Sequence, residues 1–187
     1  MENKLLNMSL EELWHLFPIF LTEPNKLWLN YYNEMHSLLE KILAGYKIRI
    51  NHIGSSAIKN IWAKPIIDIL VEIEPQENMK AIANIIKRDG FLCMSENSNR
   101  MSFNYGYTEC GFAQKVYHLH LRFLGDNDEL YFRDYLNDNP QIAKQYEKLK
   151  LELWRKYEYN RDAYTDAKKN FVRKYTDLAK KIYPNRY

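Results

Sequence analysis

The residues whose types and spacing suit chemistry cluster in one stretch: His52-Ile-Gly54-Ser55-Ser56-Ala-Ile-Lys-Asn-Ile-Trp-Ala-Lys64-Pro65-Ile-Ile-Asp68. Glycine lets a backbone come close to a ligand. Successive amides and hydroxyls in a tight turn make a concavity for phosphate oxygens. Asp68 stands inside an apolar run, Ile66-Ile67-Asp68-Ile69-Leu70-Val71-Glu72-Ile73. A carboxylate there is costly unless it is paired, hydrogen-bonded or metal-bound. Gly54, Ser55 and Ser56 thus form a candidate phosphate cradle, and Asp68 asks for a cation. A plain turn with two solvent-facing serines explains Gly-Ser-Ser alone, but less well its combination with Lys64-Pro65 and Asp68.

His118 and His120 are spaced to share one strand face. If their strand lies beside that of Asp68, the three form a His/His/Asp cluster, and imidazole suits Zn, Mn or Fe better than Mg. Alternatively one histidine serves as general base, since its pKa lies near neutrality, or the pair hydrogen-bonds to neighbours on a solvated face. Lys64 can neutralise a ligand phosphate or stand at the surface. Arg100 can clamp an anion with its planar fork. His52 can orient the turn. Arg133 and Lys168 fall on expected helices, where an ion pair on the helix face is the default reading. The 15 tyrosines read as packing.

These groups must be positioned by recognisable elements. Ser9-Leu-Glu-Glu12 is a capping box that opens a short helix ending near Phe17, before Pro18. Asn25 heads a longer helix to about Leu43, with Leu27, Tyr31, Met35, Leu38, Leu39 and Ile42 as its stripe. Period-two alternation from Lys47 to His52 predicts a strand leading into the Gly54 turn. The Asp68 run predicts a strand covered on both faces. Residues 78–89 read as a helix. Short strands are expected over 91–123, with a turn at Asn104–Gly106. From about 126 to 187 the chain reads as helical: 128–136, then a helix opened by Pro140 and running to Tyr157, then 162–182.

The stretch His52 to Val71 resembles the hallmark of the GrpB family, of the nucleotidyltransferase-fold superfamily. Further segments agree: Ser9 to Pro18, His118-Leu-His120, Phe132-Arg-Asp-Tyr-Leu136, Tyr146 to Leu149, and Tyr164 with Lys168 and Phe171. The resemblance implies an α+β fold over 1–187, a nucleotidyltransferase-like mixed sheet flanked by helices with a C-terminal helical section. It implies that Gly54 and Ser55 hold phosphate and that Asp68 is the first metal-binding carboxylate. The chain departs from the superfamily pattern at Leu70, where a second acid is expected. Glu72, the next acid on that face, lies about 13 Å along the strand, too far to share a Mg²⁺ shell of about 2.1 Å. Two-metal transfer, with metals about 4 Å apart, needs more carboxylates than this. His118 and His120 are the candidates to fill that gap.

The implied function is metal-assisted transfer of a nucleotidyl or phosphoryl group from a nucleotide to an unassigned acceptor, with Mg or Mn as cofactor and Zn as an alternative. The competing readings are a non-catalytic module binding a nucleotide or phosphorylated metabolite, and a hydrolase centred on Asp68, His118 and His120. Composition narrows the field. With 27 basic and 24 acidic residues in 187, there is no concentrated basic footprint for nucleic acid. Two cysteines give neither a disulfide framework nor metal spacing. Met1 to Leu6 has no apolar core of a signal peptide, and the longest apolar run is too short to span a bilayer. A cytoplasmic location is the expectation.

Overall fold

The computed structural model describes residues 4–187, so the first three residues of the segment read for a leader lie outside it. Two helices open the chain, α1 (Leu10–Leu16) and α2 (Leu27–Ile42). The capping box at Ser9 forms as predicted, with Ser9 accepting from the Glu12 amide and Glu12 accepting from the Ser9 amide. Asn25 accepts from the Leu27 amide at 2.9 Å, a local turn bond rather than a cap at the helix's first residue. The stripe of α2 turns inward at Trp28, Met35 and Leu39, while Leu27 is exposed.

Five strands make one mixed sheet: β1 (Ile48–Ile53), β2 (Ile67–Ile73), β3 (Leu92–Glu96), β4 (Arg100–Thr108) and β5 (Gly111–Phe123). Their spatial order is β1-β2-β5-β4-β3. Only β2 and β5 run parallel. Helix α3 (Met79–Arg88), capped by Asn78, lies between β2 and β3 in sequence. After β5 come α4 (Asp128–Asp138), α5 (Pro140–Tyr157) and α6 (Arg161–Ile182). Proline suits the first turn of α5 because its missing N–H has no partner to lose there.

Strand alternation divides β2 between two cores. Ile67, Ile69, Val71 and Ile73 join α2 and α3 residues in the principal cluster. Leu70 packs instead with Ile53 and Leu130 of α4. Asp68 and Glu72 share that second face, by the period of two. Glu72 is buried and takes hydrogen bonds from the Gly125 amide (3.2 Å) and Asn127 Nδ2 (2.9 Å). It ties the end of the sheet to the loop before α4.

The region between Phe91 and Phe123 corrects the expected short strands. β4 and β5 form a long hairpin that turns beyond Thr108, not at Asn104–Gly106. Gly106 (φ +85°) is part of β4 at a register shift between Tyr105 and Tyr107. A Cβ there would stand 3.1 Å from Val116 Cα. The glycine signal in the sequence marks a bulge, which a strand interior tolerates. The bulge matters because it re-aims Tyr107.

Ile69 is fully buried in the shared interior of β2. Ile69→Ala should lower unfolding free energy by about 2–5 kcal/mol, read as a lower urea midpoint at unchanged slope.

Candidate functional site

Antiparallel pairing of β1 with β2 sets Ile53 opposite Asp68. The chain leaving β1 therefore turns directly over the Asp68 carboxylate. Gly54 makes that turn at φ +70°. A Cβ on Gly54 would lie 2.8 Å from both Cβ and Cγ of Asp68, and closer still to Oδ2. No side chain fits. Ser55 to Ala57 then form a single 3₁₀ turn. Ser55 faces the Tyr146 phenol. The Ser56 hydroxyl hydrogen-bonds His52 Nε2 at 3.0 Å, and that imidazole stacks on Tyr32 with ring centroids 4.7 Å apart. Burial, reinforced by Arg133 and opposed by Asp68, lowers His52 to about 4, so the ring is neutral. Arg133 Nη1 donates to the His52 carbonyl at 2.8 Å, fixing the end of β1 from α4.

Parallel pairing of β2 with β5 puts Asp68 level with His118 and Leu70 level with His120. His118 Nδ1 lies 3.2 Å from Asp68 Oδ1, and His120 Nε2 lies 4.0 Å from the same oxygen. His118 Nε2 meets the Tyr107 hydroxyl at 2.8 Å, which in turn accepts from Arg161 Nη2 at 3.2 Å. The direction of this chain follows from its ends. Arginine only donates, so the phenol oxygen accepts from Arg161 and gives its proton to His118 Nε2. That leaves the His118 proton on Nδ1, donated to Asp68. Burial opposes ionisation of Asp68, but hydrogen bonding by the imidazoles of His118 and His120 outweighs it and holds the carboxyl well below its usual range. Burial also lowers His118, against the pull of Asp68. At neutral pH the pair is a carboxylate and a neutral imidazole.

The other side of Asp68 is basic. A cavity of about 190 Å³ is walled by the Gly54–Ser56 turn, Asp68, Lys64, Lys150 and Lys168, with Tyr146 and Tyr164. Helix α5 sets the loop that carries Lys64. Glu147 accepts from the Trp62 amide at 2.6 Å, Lys144 Nζ donates to the Asn60 carbonyl at 2.7 Å, and Lys150 Nζ donates to the Trp62 carbonyl at 2.5 Å. Lys64 and Lys168 make no ion pair among the described residues; both ammonium groups lie over the Tyr164 ring, at 5.7 and 4.3 Å from its centroid. Burial, with Lys168 and Arg161 nearby, lowers Lys64 to about 7. Burial and Lys168 lower Lys150 to about 7, and burial lowers Lys168 to about 8. Arg161 heads α6, where the helix dipole disfavours a cation, and its Nε is buried without a partner. With Glu129 at the cavity edge already paired to Arg122, the lysines leave positive charge in excess around Asp68.

Of the residues singled out in the sequence, Gly54, Ser55, Ser56, Lys64 and Asp68 meet at this cavity, with His118 and His120 behind Asp68. Arg100 does not join them. It forks onto Asp126, both bonds 2.6 Å, with its side chain exposed. It belongs to an edge pair that Arg122 also joins. Lys168, expected in a helix-face ion pair, lines the cavity instead. Tyr107, Tyr146, Lys150, Tyr164 and Arg161 were not foreseen. A signal existed for Lys150, which like Lys168 follows a buried tyrosine by one helical turn.

The donor set does not fit a Mg²⁺ centre. Leu70 is buried where a second acid would stand, and Glu72 is committed to Gly125 and Asn127. Both ring nitrogens of His118 are taken by protein partners. Among the described residues, no group of three His, Cys, Asp or Glu side chains is arranged to hold a metal.

Comparison with known proteins agrees with this geometry at the level of fold. Residues 18–178 match the profile of the GrpB protein family. The chain is 36% identical over 159 residues to the glutamate-rich protein GrpB of Alkalihalophilus pseudofirmus, covering 82% of this chain and 91% of that protein. It is 29% identical over 175 residues to the UPF0157 protein YqkA of Bacillus subtilis, covering 90% of this chain but only 50% of YqkA. The crystal structure of conserved protein GrpB from Enterococcus faecalis matches with a TM-score of 0.75 at 29% identity, over 88% of this chain and 99% of that one. The Cid1 poly(U) polymerase bound to MgATP matches with a TM-score of 0.53 at 10% identity, over 79% of this chain and 47% of that one. The last likeness is one of nucleotidyltransferase fold alone. No helix among the described residues is long and apolar enough to cross a membrane.

Gly54→Ala should cost about 1–3 kcal/mol of backbone strain plus the displacement of Asp68. Gly45→Ala makes the control, since Gly45 shares a positive φ (+97°) and has nothing within 4 Å of its Cβ position. Chemical denaturation should show Gly54→Ala to be the more destabilised of the two.

Proposed function

The chain belongs to the GrpB family, and on that premise we propose that it binds the phosphates of a nucleotide, or of a similar phosphorylated small molecule, at the Gly54–Ser56 turn. The observation that carries this reading is the set of three enclosed lysines facing that turn, none of them in an ion pair among the described residues. Burial lowers the pKa of all three, and neighbouring cations lower Lys64 and Lys150 further. A polyphosphate relieves that repulsion and restores the protons. In this reading the ammonium groups, with Arg161 nearby, take the charge-neutralising part that paired carboxylates and Mg²⁺ take in a two-metal enzyme. Asp68 then sits beside the anion, held ionised and oriented by His118, Tyr107 and Arg161.

A second reading is group transfer from the bound nucleotide to an acceptor. The ionised Asp68 at the cavity wall favours it, as a carboxylate that can accept a hydrogen bond from the acceptor and orient it. A nucleotide-consumption assay separates this from binding alone, because turnover lost in Asp68→Asn but retained in a surface variant marks transfer. A hydrolase built on a His/His/Asp metal has less support, given the hydrogen bonds already made by His118.

Calorimetry with ATP, GTP, CTP, UTP and inorganic tripolyphosphate tests the binding reading. Binding should persist in EDTA. Asp68→Asn removes a like charge from the anion's surroundings and should tighten EDTA-resistant binding by about tenfold, or ~1.4 kcal/mol. Weaker, strictly Mg²⁺-dependent binding in that variant would show that a metal bridges Asp68 to the ligand and would sink the amine-only account.

The lysines also set a pH dependence. Above about pH 7 the folded chain has released protons from Lys64 and Lys150, and above about pH 8 from Lys168, which an unfolded chain keeps until about 10.4. The unfolded state then binds more protons, so ligand-free stability should rise with pH across this window. A bound anion restores those protons. The increase in Tm caused by tripolyphosphate should therefore be larger at pH 7 than at pH 9.5, by thermal melts at matched ionic strength.

A further inference from the structure

A second cavity, about 570 Å³, opens between α4 and α6 and shares Glu129, Phe132, Lys168 and Val172 with the basic one. The two are parts of one cleft with different chemistry. In the α4–α6 part three of the charged lining side chains are ion-paired with residues outside the lining, and Asp177 stands against Arg173 and Lys168 in the overall charge balance. Asp128 pairs with Lys180, Glu129 with Arg122 (2.8 Å), Lys169 with Asp166 (2.5 Å), and Arg173 Nη2 donates to Asn170. What remains is an apolar floor from Phe132 and Val172 and the hydroxyls of Thr165 and Thr176. Thr176 is 4% exposed. Among the described residues nothing hydrogen-bonds its hydroxyl, although it lines the cleft. Its hydroxyl is therefore available to a ligand atom in the cleft.

From this we infer that the α4–α6 cleft seats the nucleoside of a ligand whose phosphates lie at the Gly54–Ser56 turn, with Thr176 hydrogen-bonding it. The inference rests on the phosphate-binding reading and deepens it. An apolar floor flanked by hydroxyls suits a neutral heterocycle and sugar better than the lysine-walled part does. The volume falls within the roughly 300–1,000 Å³ typical of small-molecule sites. Lys168, common to both parts, stands where phosphate gives way to nucleoside.

The test compares inorganic tripolyphosphate with ATP, GTP, CTP and UTP by calorimetry in EDTA, on wild type, Thr165→Trp and Thr176→Val. Thr165 is exposed on α6, so tryptophan there fills the cleft without entering the core, and Thr176→Val keeps the shape while removing the hydroxyl. For wild type, at least one nucleotide should bind about tenfold or more tighter than tripolyphosphate. Thr165→Trp should abolish that advantage while leaving tripolyphosphate affinity within about twofold, and Thr176→Val should reduce the advantage several-fold. If tripolyphosphate binds but no nucleotide binds tighter, or if Thr165→Trp weakens both ligands alike, the nucleoside seat is overturned and the phosphate site stands. If wild type binds no tripolyphosphate, the phosphate site fails and takes this inference with it.

Discussion

The contact between the Gly54 backbone and the Asp68 carboxylate is the constraint on which the site depends. It exists because Ile53 and Asp68 are paired across β1 and β2, so the chain leaving β1 has nowhere to go except over that side chain. With a hydrogen in place of a methyl group, the turn closes to van der Waals distance of the carboxylate. Everything basic then collects on the far side of the turn. Without that approach the serines and the acid would open onto different spaces.

Charge balance is the second organising feature. Asp68 has two imidazoles on one side and three lysines on the other, and burial makes each unpaired charge expensive. The hydrogen-bonded chain from Arg161 through Tyr107 and His118 resolves the negative charge, since its donors all point toward Asp68. Nothing comparable resolves the positive charges. Lys150 reaches the Trp62 carbonyl, but among the described residues Lys64 and Lys168 meet the face of Tyr164 and make no ion pair. That imbalance separates a ligand site from a structural ion-pair cluster, in which both signs would be satisfied. The edge network of Arg100, Arg122, Asp126 and Glu129 provides the contrast, as both signs there are paired.

Local rules carried the reading of most elements. The Ser9 capping box, the alternation into β1, the apolar run of β2 and the Pro140 start of α5 are each decided by a few neighbouring residues, and each stands where the residues put it. The hairpin of β4 and β5 was misread because a glycine after Asn104 signals a turn by itself. Only its partner strand shows that the same glycine serves a bulge. Arg100 was misread for a related reason. A fork can hold any carboxylate or phosphate, and the choice between them depends on Asp126 arriving from the other end of β5.

By itself, then, the sequence determined that a glycine-serine turn follows one strand and that a lone acid sits in the next, since both facts are local in the chain. It also determined that Leu70 denies Asp68 the neighbour a metal pair needs. Tertiary structure alone decided which cations face that acid. Lys64 comes from a loop, Lys150 from α5, and Lys168 and Arg161 from α6, and their convergence depends on how three helices pack against the second face of the sheet. Helical period marks a residue as inward or outward but carries no record of what stands opposite. The excess of lysines at the cavity is therefore a property of packing.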